Sequence, residues 1–490
     1  MFLSLVFVWL LYAGKEEDTM SLLGAFIVPH PPLIIPQIGR GQETRVQQTI
    51  RSYQEIGRRI AELKPDTILL TSPHSVMYSD YLQISSGKHA QGDFGSFGYP
   101  EIKFKAEYDE EFIKELSKLA GKRNIPAGTL GERTYTQNGR IVSTKELDHG
   151  TMVPLYFINQ FHTDYRLVRL SISGLSPLTH YRFGQCIADL AGNSEKRYVF
   201  VASGDLSHKL KADGPYGYAR EGEQFDSEIT QAMETGDFMR FLTFGESFCE
   251  EAAECGLRSF QVMAGALDGK AVRTELLSYE GPFGVGYGIA SFQVNGEDAS
   301  RRFGELYTGN QRKELSEIKE KEDDYVRLAR QSLEYCIKNR HRMKRPEGLP
   351  PELLNEQAGV FVSLKKEGRL RGCIGTILPT TGCIADEIIQ NAVSAGVQDQ
   401  RFEPVTKEEL PWLVYDVDVL GKSEPIQSMK ELDVKRYGVI VSCKGRRGLL
   451  LPNLEGVTTP AQQVGIALRK ANISEKEPYT MERFEVVRHL

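Results

Sequence analysis

Leu22-Leu-Gly-Ala-Phe-Ile-Val28 carries no charge and runs directly into Pro29-His30-Pro31-Pro32. A short, uninterrupted apolar run bounded by prolines fits a strand buried on both faces better than a half-exposed one, which would alternate. A stretch with helical character follows, roughly Glu43 to Leu63, and then Asp66-Thr-Ile-Leu-Leu-Thr-Ser72, a second run of the first kind. The rhythm returns with a strand at Tyr165–Ser173, a helix around His180 to Ala191 and a strand at Arg197–Ser203. Helices near 221–235 and 259–267 and a closing strand at Tyr287–Val294 complete the pattern. Strands alternating with helices predict an α/β domain with a mixed, largely parallel central sheet over residues 21–295.

A chain of 490 residues favours two or more domains. Asn295, Gly296, Gly309 and Asn310 interrupt a polar, charged stretch, and the linker is placed at 296–317. Beyond it, Val326, Ala329, Leu333, Cys336 and Ile337 form a helical stripe. Two hairpins are expected, around Lys365–Gly368 and Lys444–Gly448, with helices at 384–397 and 461–471 and an alternating strand at Leu413–Leu420. Residues 318–490 therefore read as an α+β domain.

The net charge of −6 argues against general nucleic-acid binding, which needs a basic face. Seven scattered cysteines, odd in number and without CxxC spacing, fit reduced thiols and a cytoplasmic location. Met1–Ala13 is apolar but short for a bilayer span, lacks a basic start and is followed by Glu16, Glu17 and Asp18. Residues 1–20 are expected to be a leader foreign to the folded domain or a misassigned start, with Met20 opening straight into the first strand. No stable membrane insertion is expected.

The chain has nine histidines. Four sit at strand ends or sharp turns: His30, His74 in Ser-Pro-His-Ser, His149 in Leu-Asp-His-Gly, and His208 in Gly-Asp-Leu-Ser-His. Strand ends of an α/β sheet are where ligands converge, and imidazole is both a common metal ligand and a general base near neutral pH. His30 and His74, on successive strands, are candidate ligands. Glu254-Cys255-Gly256 offers a carboxylate and a thiol beside a flexible residue, and two histidines with one carboxylate form the facial triad of non-haem iron(II) oxygenases. Cys255 is the competing ligand, and a thiolate would favour zinc or copper. His208 reads as an acid–base residue or a third nitrogen ligand, and His149 as a residue that orients substrate. His89, His162, His180, His341 and His489 read as structural or surface residues.

These strings resemble the class III extradiol ring-cleavage dioxygenases, the LigB-like family, over roughly residues 21–295. The resemblance implies iron(II) held by His30, His74 and a later glutamate, with His208 as the acid–base residue and His149 lining the substrate site. It implies cleavage of a catechol-type aromatic ring beside its hydroxyls, with both oxygen atoms incorporated. Glu254-Cys255-Gly256 is also similar to the Memo branch, where a cysteine accompanies the histidines and no dioxygenase activity is secure.

In the second domain, Leu370-Arg371-Gly372-Cys373-Ile374-Gly375-Thr376, Asp399-Gln-Arg401-Phe402 and Arg483-Phe-Glu-Val resemble the AMMECR family. Cys373 is a candidate reactive or ligand-binding thiol with Arg371 beside it, against the alternative of a small core residue. A Memo-like and an AMMECR domain together resemble the AmmeMemoRadiSam system, which implies a radical S-adenosylmethionine enzyme as partner. A small aromatic substrate and self-association complete the expected partners.

Overall fold

The computed structural model describes residues 21–130, 134–137, 140–143, 146–454 and 456–490. The expectation for residues 1–20 lies outside the described residues. The chain divides into two compact units at Thr308/Gly309.

The first unit is built on a six-stranded sheet. Its strands are β1 (Leu22–Val28), β2 (Thr67–Ser72), β5 (Arg166–Ser171), β6 (Tyr198–Ser203), β7 (Lys270–Glu280) and β8 (Tyr287–Glu297). A smaller hairpin, β3 (His89–Phe94) and β4 (Tyr99–Glu107), stands apart from it. The sheet order is β7-β8-β1-β6-β2-β5. The four strands β1, β6, β2 and β5 run parallel, and β8 and β7 are added antiparallel on the β1 side.

Every residue of β2 and β6 is buried, which is why these strands are apolar without alternation. Helices α1 (Gln47–Leu63) and α2 (His149–Ile158) pack on one another and on the sheet. Helices α3 (Pro177–Gly192) and α5 (Leu257–Ala266) form a second such pair. Helix α1 buries Tyr53, Ile56 and Ile60, one stripe at helical spacing, and ends at Lys64 in the left-handed conformation immediately before Pro65. Helix α4 (Arg220–Thr235) follows the loop after β6.

Segment 296–317 is largely helical rather than a chain of breakers. Strand β8 runs to Glu297, and helix α6 (Phe303–Lys321) crosses the division between the units.

The second unit has two antiparallel four-stranded sheets. One orders β10 (Arg369–Gly375), β9 (Val360–Lys366), β11 (Leu413–Leu420) and β16 (Val486–His489). The other orders β12 (Glu424–Ile426), β15 (Thr480–Phe484), β13 (Gly438–Cys443) and β14 (Arg446–Leu450). Helices α7 (Asp324–Asn339) and α8 (Ile384–Val397) cover the first sheet, and α9 (Pro460–Lys470) covers the second. This is the expected α+β class. Among the described residues no helix is long and apolar enough to cross a membrane, and all seven cysteines are free.

Candidate metal centre

Three adjacent parallel strands, β1, β6 and β2, end at the same edge of the sheet, and each delivers a site residue just past its last carbonyl. His30 follows β1, the loop Gly204–His208 follows β6, and His74 follows β2. Strand order alone therefore brings together side chains far apart in sequence. His30 Nε2 lies 2.9 Å from His74 Nε2 and 3.7 Å from Cys255 Sγ. The donor atoms of His30, His74 and Cys255 all fall within 4.8 Å of one another, and so do those of Asp205, His208 and Cys255.

Hydrogen bonds fix which nitrogen faces the group. Ser203 Oγ donates to Gly150 O at 2.6 Å, so toward His30 it can only accept, and His30 Nδ1 donates to it at 3.1 Å. This leaves the His30 Nε2 lone pair on the inner side. His208 Nδ1 donates to Ala253 O at 2.6 Å, which leaves its Nε2 facing Asp205 Oδ2 at 4.0 Å. Ala253 holds φ 54°, the left-handed region, and that turn aims its carbonyl at His208. Burial, the largest cause, pushes the His30, His74, His149 and His208 imidazoles toward their neutral forms, and neighbouring imidazoles add to this for His30, His74 and His208. Neutral imidazole is the ligating form.

Glu254 and Cys255 diverge. Cys255 points into the group, and its Sγ accepts the Asp205 N–H at 3.3 Å. The Glu254 carboxylate instead accepts the Leu257 N–H at 2.7 Å at the start of α5. It lies outside both donor groups, so of the two candidate ligands in Glu254-Cys255-Gly256 only Cys255 is brought to the group. A carboxylate at a helix N-terminus satisfies an orphan N–H and complements the helix dipole.

The carboxylate that does reach the site is Asp205, to which the sequence reading gave no role of its own. Its Oδ1 accepts the His30 N–H at 2.8 Å, and its Oδ2 stands 3.8 Å from His30 Nε2. Burial raises its pKa to about 7. Its signal was its place in the same strand-end string as His208. The loops of Asp205 and Cys255 meet through glycine: a Cβ on Gly204 would lie 2.1 Å from Gly256 Cα.

His149 opens α2. Asp148 caps that helix through Thr151 N at 3.0 Å, accepts from Ser72 Oγ and lies 3.6 Å from the buried Arg169 guanidinium. The His149 ring sits 4.0 Å from that of His74 and 5.6 Å from that of Phe97, between β3 and β4. Beside them opens a cavity of about 820 Å³, lined by His74, His149, Phe97, Phe104, Met152 and Arg169 among others. Of the remaining histidines, His180 is buried, with Nε2 accepting from Ser173 N at 3.2 Å.

The donor set fits a metal ion. Two nitrogens 2.9 Å apart match the spacing of two bonds of about 2.0–2.1 Å at a right angle, and the thiol and carboxylate supply ionisable donors.

Residues 24–290 match the family model described as the catalytic LigB subunit of aromatic ring-opening dioxygenase. The chain belongs to the LigB family. Residues 326–489 of this LigB-family chain match the AMMECR1 model. A protein of Clostridium acetobutylicum is 41% identical over 471 residues, covering 96% of this chain and 99% of its own. A Thermotoga maritima protein is 45% identical over 171 residues, covering 34% of this chain and 98% of its own. Among solved structures, an uncharacterized protein from Pyrococcus horikoshii shares 31% identity over 34% of this chain and 88% of its own, with a TM-score of 0.32. An uncharacterized protein from Escherichia coli K12 shares 15% over 55% of this chain and 99% of its own, with a TM-score of 0.37.

In the AMMECR1 unit, Cys373 and Arg371 lie two residues apart on β10, where the register against β9 shifts and leaves Arg371 without a paired residue. Cys373 Sγ accepts from Ser363 Oγ at 3.3 Å. Its outward backbone is clamped by one side-chain pair: Cys373 N donates to Asp399 Oδ2 at 2.9 Å, and Arg401 Nη2 donates to Cys373 O at 3.1 Å. Because β10 is an edge strand, this pair occupies hydrogen-bonding groups that another strand could otherwise use. Arg371 makes a two-pronged pair with Glu409, both contacts at 2.9 Å.

Proposed function

We propose that the LigB-family unit is an iron(II)-dependent extradiol dioxygenase for a catechol-type aromatic, with the ion held by His30, His74 and Cys255 and with Asp205 as an adjacent carboxylate. The convergence of the His30, His74 and Cys255 donor atoms within 4.8 Å of one another carries the reading. A divalent iron bound there would supply the redox partner and the positive charge that lower the barrier for a catecholate to react with oxygen.

The chain's own residues have separable tasks. His208 Nε2 faces the group with its lone pair free, so it takes a proton from a substrate hydroxyl and returns it at ring opening. Ala253 O holds His208 in that tautomer. His149 and Phe97 form one wall of the neighbouring cavity and orient the ring, and Asp148, tied to Ser72 and near Arg169, fixes the start of the helix that carries His149.

Anaerobic loading of the full chain with iron(II), followed by a panel of catechols and oxygen, tests this. A coloured ring-opened product with oxygen uptake is expected. One observation favours a second reading: Cys255 rather than Glu254 joins the histidines. That donor set supports a Memo-like metal protein acting with a radical S-adenosylmethionine enzyme. Tight metal binding with no turnover across the panel would select it, and zinc or copper then becomes the ion to assay.

A further inference from the structure

Asp226, on α4, is a buried carboxylate with no place in the chemistry above. Its Oδ1 accepts the Ser207 N–H at 2.7 Å, and its Oδ2 accepts the Tyr279 hydroxyl at 2.7 Å. Ser207 sits between Asp205 and His208, so the carboxylate grips the loop that delivers two of the converging side chains. Other grips on this loop are made by main-chain carbonyl and amide groups. Leu206 N donates to Gly286 O at 2.9 Å and Gly286 N to Ser207 O at 2.8 Å. Ser207 Oγ and His208 N donate to Ala252 O at 2.9 and 3.2 Å. Asp226, like Cys255, grips the loop with a side chain distant in sequence, but from outside the metal group, and space is kept for it: a Cβ on Gly286 would fall 2.0 Å from Asp226 Oδ2.

We propose that Asp226, steadied by Tyr279, is a positioning residue that holds the Asp205–His208 loop so that Asp205 Oδ2 and His208 Nε2 face the metal group together. The proposal rests on the metal-centre reading. A helix interior could hold an apolar residue here at lower desolvation cost. A carboxylate is useful because it fixes a loop amide and so the direction of the residues on either side of it. Remote partners of this kind commonly change metal affinity by about 10–100-fold when removed.

The test is an anaerobic Co(II) titration of the full chain, read by visible absorption, with circular dichroism to monitor folding. Asp226→Ala is expected to weaken Co(II) binding about tenfold or more and to alter the ligand-field bands. Asp226→Asn, which keeps an oxygen for the Ser207 amide, restores affinity toward wild type. Tyr279→Phe falls between the two, and it decides the matter if Asp226→Ala does not fold. Wild-type affinity and spectrum in the folded Asp226→Ala chain, or in Tyr279→Phe where that must stand in, overturn the positioning role while leaving the metal centre intact. A wild-type chain that takes up no Co(II) overturns both.

Discussion

Glu254 and Cys255 are sequence neighbours with different duties, and single substitutions separate them. Cys255→Ser removes the sulfur donor and is expected to lower bound metal strongly, by about tenfold or more in affinity. Glu254→Ala removes the acceptor for the Leu257 N–H and is expected to cost about 1 kcal/mol of stability, with metal content unchanged. Metal analysis after gel filtration, together with urea unfolding, checks both; equal metal loss in the two variants would refute the division. Much of the site was legible at this scale because histidines at strand ends are rare and conspicuous. Asp205 was missed because the string that holds it was weighed for the His208 imidazole and not for its carboxylate. Glu254 and Cys255 stayed open alternatives because ligand chemistry was weighed without the competing demand of a helix start. An acidic residue three positions before Leu257, at the head of an apolar helix, was the available cue.

At the scale of elements, the strands that matter most were the easiest to see. β1, β2 and β6 are covered on both faces and so show unbroken apolar runs. The elements not foreseen obey other rules. Edge strand β7 interleaves Lys270, Arg273, Glu275 and Glu280 with its apolar residues, because one side of it meets no strand. The β3/β4 hairpin beside the cavity is polar for a similar reason. Two expectations belong here. Gly204→Ala would drive a Cβ into the Gly256 backbone, which cannot yield as a side-chain tip can. A loss of about 1–3 kcal/mol in urea unfolding is expected, together with weaker metal binding, because the loops of Asp205 and Cys255 meet there; wild-type values for both would sink the argument. In the second unit, burial raises the Glu409 pKa, but Arg371, Thr406 N and Lys366 outweigh it and hold it near about 2. A depressed folded pKa stabilises above the unfolded value of about 4.3 and loses that contribution as pH falls toward 2. The urea midpoint of this unit, followed at Trp412 in a Trp9→Phe background, should fall across that window. Glu409→Gln should flatten the decline, and an unchanged slope would show that the pair contributes nothing.

For the molecule as a whole, the main buried core of the first unit and the three clusters of the second share no residues, and the candidate metal donors belong entirely to the first. A ligand that binds only the folded first unit stabilises that unit by about 2.7 kcal/mol at a hundred times its Kd. For a unit that runs to Thr308, each kcal/mol moves a melting midpoint by about 1.5–2 °C. Scanning calorimetry of the metal-free chain is therefore expected to resolve two transitions, with added Co(II) raising one by about 4 °C or more and leaving the other in place. Cys255→Ser should cut the shift to about half or less without moving the second transition, and Glu409→Gln should move only the second, at low pH. One cooperative transition that shifts as a whole with metal would mean that the units unfold together despite separate cores, and that binding at the sheet edge stabilises the AMMECR1 unit as well.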